Sequence, residues 1–109
     1  MRFCDKLKSL RISAGFGFNE FWKEAGITNV YLSGLENGTK MPPPPERQYQ
    51  FIKILEKKKH LSLEEKNRFY DLAAKERREL PADIVKYCEQ QESLMEIRKL
   101  IKENNNEKI

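Results

Sequence analysis

Side chains that could perform catalysis or bind a metal are few and widely spaced in this sequence. The single histidine, His60, follows three lysines in a predicted solvated linker, where the sequence supplies no oriented partner for general acid or base chemistry. The only cysteines, Cys4 and Cys88, form neither a CxxC pair nor a disulfide framework, which favours reduced thiols in ordinary packing positions. We therefore expect no enzyme activity, no cofactor and no metal site.

The composition is typical of one small basic domain. The chain has 109 residues, and 21 Lys and Arg against 17 Asp and Glu give a net charge of +4. Residues 1–40 hold six basic and four acidic residues, residues 41–80 hold ten and seven, and residues 81–109 hold five and six. This mild excess permits nucleic acid as a partner without requiring it.

Neither a membrane span nor a secretory signal is evident. No apolar run approaches the roughly 18 residues that a membrane helix needs, and the first ten residues, MRFCDKLKSL, lack the apolar stretch of a signal peptide. We therefore expect a cytoplasmic protein with no membrane contact.

The pattern of apolar and capping residues predicts an all-α fold of six or seven short helices. These helices are expected to begin near residues 3, 18, 28, 46, 62, 81 and 93. In the helix that starts at Ser62, a capping box with Glu65 is predicted, and the buried face should contain Leu63, Phe69, Leu72 and Ala73. The four prolines 42–45 predict a stiff extended spacer, with an SH3-type ligand as the alternative.

Two of the predicted helices, residues 18–25 and 28–37, are separated by a very short break. Gly26 can adopt a positive φ in that break, Thr28 can cap the second helix, and Gly38 can end it. Apolar residues are suitably spaced to hold the two helices together: Phe21, Ala25, Ile27, Leu32 and Leu35. This spacing suits the arrangement in which one helix crosses the DNA backbone and the next enters the major groove.

The stretch AGITNVYLSGLENG, followed by lysine and prolines, resembles the bacterial and phage helix-turn-helix family that includes lambda repressor, Cro and the XRE-type regulators. The similarity is strongest from about residue 3 to residue 55, and YDLAAKERRELPADI more weakly resembles an extension of some XRE-type proteins. The resemblance implies a repressor-type five-helix domain in residues 1–79 and a C-terminal helical extension in residues 80–103. Residues 104–109 are expected to be a frayed tail.

The resemblance also implies a recognition helix at about residues 28–37. Asn29 could pair with adenine, Val30 could meet a thymine methyl group, and Ser33 and Gly34 would be presented one turn later. The full set of DNA-binding residues that it implies is Thr28, Asn29, Val30, Ser33, Asn37, Lys40, Lys23 and Asn19.

The predicted recognition helix contains no Lys or Arg, and its one acidic residue, Glu36, is expected to be an intramolecular anchor. Phosphate contacts would then come from cations outside the helix: Arg2, Lys6, Arg11, Lys23 and Lys40. Lys57, Lys58 and Lys59 could also touch a phosphate backbone, although a solvated helix end is the simpler interpretation.

Three functions follow from this pattern. The first is a sequence-specific regulator that binds double-stranded DNA as a homodimer. Its dimer surface would contain Leu94, Ile97, Leu100 and Ile101; alternatively, these side chains pack back on the same chain. The second is an antitoxin that binds both its operator and a cognate toxin. The third is a protein-interaction module with little DNA affinity, whose contact patch would be Phe16, Phe18 and Trp22; core packing is favoured for Phe16 and not for Phe18.

Overall fold

The computed structural model describes residues 1–88, and that part of the chain contains six α-helices and no strand. They are α1 (Phe3–Ser13), α2 (Phe18–Ala25), α3 (Asn29–Asn37), α4 (Pro45–Leu55), α5 (Leu63–Arg77) and α6 (Ala82–Cys88). The predicted all-α fold is confirmed. The helix predicted near residue 93, its apolar stripe and the predicted tail lie outside the described residues.

Helices α2 and α3 are joined by a tight turn at Gly26 and Ile27. Gly26 has a φ of +68°, which a residue with a side chain rarely adopts, and it ends α2. Thr28 starts α3 by accepting a hydrogen bond from the Tyr31 amide on its hydroxyl, at 3.0 Å. At the other end of α3, Gly38 has a φ of +83°. These local predictions from sequence are confirmed.

The core forms where α1 packs against α3 and α5, and α2 packs against α3 and α4. Phe21 of α2 is fully buried and meets Phe16 and Phe51 edge to face, with ring centroids 5.8 Å and 5.2 Å away. Leu32 and Leu35 bury one side of α3 in the same core. The orientation of α3 is therefore fixed by apolar contacts on one face, which leaves the other face in solvent.

A buried ion pair also fixes α3 to α1. The Arg11 Nε lies 2.6 Å from Oε2 of Glu36, and Nη2 lies 3.0 Å from Oε1. Nη1 of Arg11 donates to the Phe16 carbonyl at 2.9 Å. The expectation that Glu36 is an intramolecular anchor is confirmed. The expectation that Arg11 contacts phosphate is wrong, because its guanidinium is buried and its donors are engaged within the protein.

The proline run is part of the packed structure. Pro42 and Pro43 are buried, and their carbonyls accept hydrogen bonds from Arg77 at 2.9 Å and from Gln48 at 2.7 Å. Pro45 is the first residue of α4, where a missing amide proton costs nothing. The prediction of an extended spacer is correct for Pro44 and wrong for Pro45, which lies in α4, and the burial of Pro42 and Pro43 argues against the SH3-type alternative.

Helix α5 has the predicted Ser62–Glu65 capping box and buries Phe69 and Ala73. The prediction that Leu63 is buried is wrong, since Leu63 is 72% exposed. It is the first residue of α5, and no element within residues 1–88 covers it. Helical spacing therefore predicts correctly that Leu63 belongs to the helix, but it does not predict whether the side chain is buried.

Helix α6 packs against α4 and α5, and its first residue, Ala82, is buried in the common core. The Tyr49 hydroxyl donates to the Ala82 carbonyl, which fixes the start of α6 on α4. The division of the chain at residues 79 and 80 stays a prediction. Within residues 1–88, no helix combines the length and the apolar character that crossing a bilayer requires.

Tyr70, which lies beside α6, supplies a prediction about alkaline stability. Burial, followed by the negative charge of Asp83, raises the pKa of Tyr70 from 10.0 to about 12. Because the pKa of Tyr70 is higher in the folded state, the folded state holds the hydroxyl proton more tightly than the unfolded state does. The contribution of Tyr70 to the free energy of unfolding is therefore complete below pH 10 and is lost as the pH rises towards 12. We expect Tyr70→Phe to lose less stability than the wild type across that window in urea unfolding. Parallel stability curves for the two proteins would contradict this prediction.

Candidate nucleic-acid interface

The exposed face of α3 forms one wall of a shallow groove of about 430 Å³. We call it the α3 groove. It brings together five of the eight residues that the sequence predicted to contact DNA, which are Asn29, Val30, Ser33, Asn37 and Lys40. The other lining residues are Phe18, Gly34 and Thr39. The predicted residues Thr28, Asn19 and Lys23 do not line this groove.

Local hydrogen bonds orient the first turn of α3. Oδ1 of Asn29 accepts from the Val30 amide at 2.9 Å, so its amide nitrogen provides the hydrogen-bond donors that remain. The hydroxyl oxygen of Thr28 accepts from the Tyr31 amide, which leaves the Thr28 proton as a donor. The start of α3 thus presents an amide donor and a hydroxyl donor, groups suited to base edges and phosphate oxygens.

The C-terminal end of the α3 groove is built by Asn37. Its Oδ1 accepts from both the amide and the hydroxyl of Thr39, at 2.9 Å and 2.7 Å. Asn37 therefore shapes the turn after α3, a role that the sequence analysis did not assign to it. Ser33, one turn earlier, is exposed.

Gly34 is buried, so the expectation that it would be presented to a ligand is wrong. After Gly38 the chain turns back over α3, and the amide of Lys40 donates to the Gly34 carbonyl at 3.1 Å. A Cβ atom placed on Gly34 would lie 2.2 Å from Cγ of Lys40. The absence of a side chain at Gly34 thus makes room for the stem of Lys40, which lines the α3 groove.

Asn19, Trp22 and Lys23 form a separate group on α2. The Trp22 indole nitrogen donates to Oδ1 of Asn19 at 3.0 Å, and Nζ of Lys23 lies 5.4 Å from the centre of the indole ring. Trp22 is partly buried and packs against the core, as Phe18 does. Phe16 is buried as expected, whereas the preference against core packing for Phe18 is only partly correct.

Two of the three lysines that follow the C-terminal end of α4 form ion pairs with acidic residues of α2. Lys57 pairs with Glu24, and Nζ of Lys58 lies 2.7 Å from a carboxylate oxygen of Glu20. The hydrogen bond from Lys58 holds the pKa of Glu20 below its usual value. These two lysines thus brace α2 against α4, and Lys40 is the only cation that lines the α3 groove in the part of the chain described.

Phe18 and Thr39 are the lining residues that the sequence analysis did not place at the DNA-reading surface. Phe18 was recognisable as an aromatic residue at a helix start, but nothing in the sequence placed it opposite α3. The Phe18 ring also lies 5.7 Å from the guanidinium carbon of Arg11, on top of the buried ion pair. Its position therefore depends on α1, which the local pattern does not reveal.

Acidic, histidine and cysteine side chains do not line the α3 groove among the residues that the structure describes. Between residues 1 and 88, no group of three or more His, Cys, Asp or Glu side chains is gathered closely enough to hold a metal ion. The groove offers amide and hydroxyl groups from α3, the Thr39 hydroxyl and Lys40 from the segment after α3, and the apolar side chains of Phe18 and Val30. Comparison of the chain with protein-family models, curated proteins and solved structures produced no match.

Proposed function

We propose that this protein is a sequence-specific DNA-binding regulator that places α3 in the major groove of double-stranded DNA. The observation that carries the proposal is the α3 groove, which gathers Asn29, Val30, Ser33, Asn37 and Lys40 on one exposed face. A helix of this kind fits the major groove, where amide and hydroxyl groups can distinguish base pairs. The burial of the opposite face of α3 holds these groups in a fixed arrangement.

In this proposal, base reading and phosphate binding are divided between different residues. Helix α3 supplies neutral groups, because residues 29–37 contain no Lys or Arg. Lys40 supplies a cation at the edge of the α3 groove, and Lys23 is exposed on α2. With so few cations, we expect weak non-specific binding and a modest dependence on salt compared with strongly basic DNA-binding proteins.

We also propose that the protein binds as a homodimer on a two-fold operator. Two recognition helices would then occupy half-sites about 34–36 Å apart, one turn of DNA. The segment 80–103 is the candidate dimer surface; within its described part, Leu80 and Ile84 are 61% and 41% exposed. Exposed apolar side chains at this point are consistent with coverage by a partner.

The experiment that tests the proposal is selection of bound duplexes from a random DNA library, followed by mobility-shift titration. We expect an enriched motif with two-fold symmetry and an affinity for it that falls as salt increases. Failure to enrich any motif at low salt, with micromolar folded protein, would overturn the proposal.

Lys40→Ala provides a sharper test of the division of roles. Loss of one phosphate contact should weaken binding to all sequences similarly and reduce the slope of log K against log salt by about 0.9. Lys59→Ala is the matched control, because Lys59 is exposed and does not line the α3 groove. An equal change of slope in both variants would contradict a specific role for Lys40.

A second candidate function, a protein-interaction module, is favoured by one observation. The α3 groove pairs an apolar wall of Phe18 and Val30 with a single cation, a composition that also suits a polypeptide partner. The library selection separates the two functions, because an interaction module would enrich no duplex.

A further inference from the structure

A second cavity lies where α4, α5 and α6 meet. Its volume is about 250 Å³, and it shares no lining residue with the α3 groove. We call it the α6 cleft. Sites for drug-sized ligands usually enclose about 300–1,000 Å³, so the α6 cleft suits a smaller molecule. The lining residues that determine its chemistry are Ile52 and Lys53 of α4, Lys66 and Tyr70 of α5, and Asp83 and Lys86 of α6.

The carboxylate of Asp83 is left unsatisfied at this cleft. Its Oδ1 is buried, and no donor within residues 1–88 lies at hydrogen-bond distance from it. Tyr70, beside it, adds no second negative charge at neutral pH, because burial and then the charge of Asp83 raise the pKa of Tyr70 to about 12. A buried carboxylate oxygen without a donor is costly, so a cationic donor that enters beside Asp83 gains a strong interaction.

Three lysines line the same cleft, one from each helix. Nζ of Lys66 lies 3.6 Å from Oε2 of Glu56, so these two charges balance each other. Nζ of Lys86 lies 5.3 Å from the centre of the Tyr49 ring. In the described part of the chain, no carboxylate lies within ion-pair distance of Lys53 or Lys86. The ammonium groups of Lys53 and Lys86 can therefore pair with an anion that enters the cleft.

A molecule with one charge cannot satisfy both halves of the α6 cleft. An anion would meet the charge of Asp83, and a cation would meet the charges of Lys53 and Lys86. We propose that the α6 cleft binds a free α-amino acid, whose ammonium group pairs with Asp83 and whose carboxylate pairs with the two lysines. Ile52 and Tyr70 give the cleft apolar surface beside these charges, which favours an apolar side chain on the ligand. This inference goes beyond the proposed function and does not depend on it.

Thermal unfolding of the full chain tests the proposal, with each standard α-amino acid added in turn at millimolar concentration. A ligand that binds only the folded state raises the melting temperature. We expect such a rise with at least one apolar amino acid, and titration calorimetry would then measure its affinity. The corresponding amine and the corresponding carboxylic acid each lack one of the two charges. Each should bind at least about tenfold more weakly than the amino acid.

Matched variants identify the residues that hold the ligand. Asp83→Asn removes the negative charge and keeps the size of the side chain, and it should weaken binding by about tenfold. Asp71→Asn is its control, because Asp71 is exposed on α5 and does not line the α6 cleft. Lys53→Ala should also weaken binding, whereas Lys59→Ala should not. Both of these lysines are exposed, and only Lys53 lines the cleft.

Three results would overturn the inference. The first is no stabilisation by any amino acid, which is also the result expected if residues 89–109 fill the cleft in the full chain. The second is that inorganic phosphate binds as tightly as the best amino acid, since the cleft would then be a simple anion site. The third is equal affinity in Asp83→Asn and Asp71→Asn, which would place the ligand elsewhere. These measurements contain no DNA, so failure of the library selection would leave the inference standing, and the reverse also holds.

Discussion

Replacement of Arg11 by Met is expected to lower the free energy of unfolding by about 3–5 kcal/mol. The side chains of Arg11 and Glu36 are 9% and 7% exposed, so the variant leaves a carboxylate buried without its counter-ion. It also removes the donor that satisfies the Phe16 carbonyl. Urea unfolding followed by circular dichroism would measure the loss. A cost below about 1 kcal/mol would mean that the pair is solvated and does not hold α3 in place.

Two further variants identify the cause of that loss. In Arg11→Met with Glu36→Leu, both charges are absent, so part of the loss should be recovered; the unsatisfied Phe16 carbonyl would still cost about 1–3 kcal/mol. Arg2→Met is the surface control, since the Arg2 side chain is 60% exposed and lies 3.5 Å from Glu76. We expect Arg2→Met to change stability by less than about 1 kcal/mol. A double variant no more stable than Arg11→Met alone would exclude the unpaired charge as the cause.

Asn29→Asp is expected to abolish preferential binding to the selected duplex without destabilising the protein. Aspartate can still accept the hydrogen bond of the Val30 amide, and a carboxylate at the start of a helix is favourable. It cannot donate to adenine, and it places a negative charge against DNA. Loss of a bidentate base contact costs about 1–3 kcal/mol, a factor of about 5 to 160 in affinity. Mobility-shift titration would measure the affinity, and thermal unfolding would report the stability.

Asn67→Asp is the matched control for this change. Asn67 is exposed on α5 and does not line the α3 groove, so the variant makes the same change of net charge elsewhere. We expect Asn67→Asp to weaken specific and random duplexes alike, and only slightly. Equal losses in the two variants would remove Asn29 from the proposed base contacts.

The helices and their ends could be predicted because their causes are local. Thr28 and Ser62 accept hydrogen bonds from amides three residues along, and Gly26 and Gly38 adopt the positive φ that their lack of a side chain permits. Each of these contacts involves residues within one turn of one another. Sequence order therefore brings the partners together whatever the rest of the chain does.

The candidate site could be predicted only in part. Asn29, Val30 and Ser33 were identifiable because the stretch AGITNVYLSGLENG resembles the helix-turn-helix family, which implies that they lie on the exposed face of the second helix. Phe18 was not, since it reaches the groove from α2 through packing that involves Arg11 of α1. Gly34 was assigned to the exposed face, whereas the segment after Gly38 returns over it and buries it beneath Lys40.

By itself, the sequence determined an all-α chain, the tight turn between α2 and α3, and the neutral character of α3. Tertiary structure decided which charges remain available to a partner. Arg11 is buried against Glu36, which lies 25 residues away, and Lys58 pairs with Glu20, 38 residues away. Counting charges could not separate these residues from Lys40, because whether a cation is neutralised depends on contacts between residues distant in sequence. The mild net charge of +4 thus overstates the positive charge that the α3 groove itself presents.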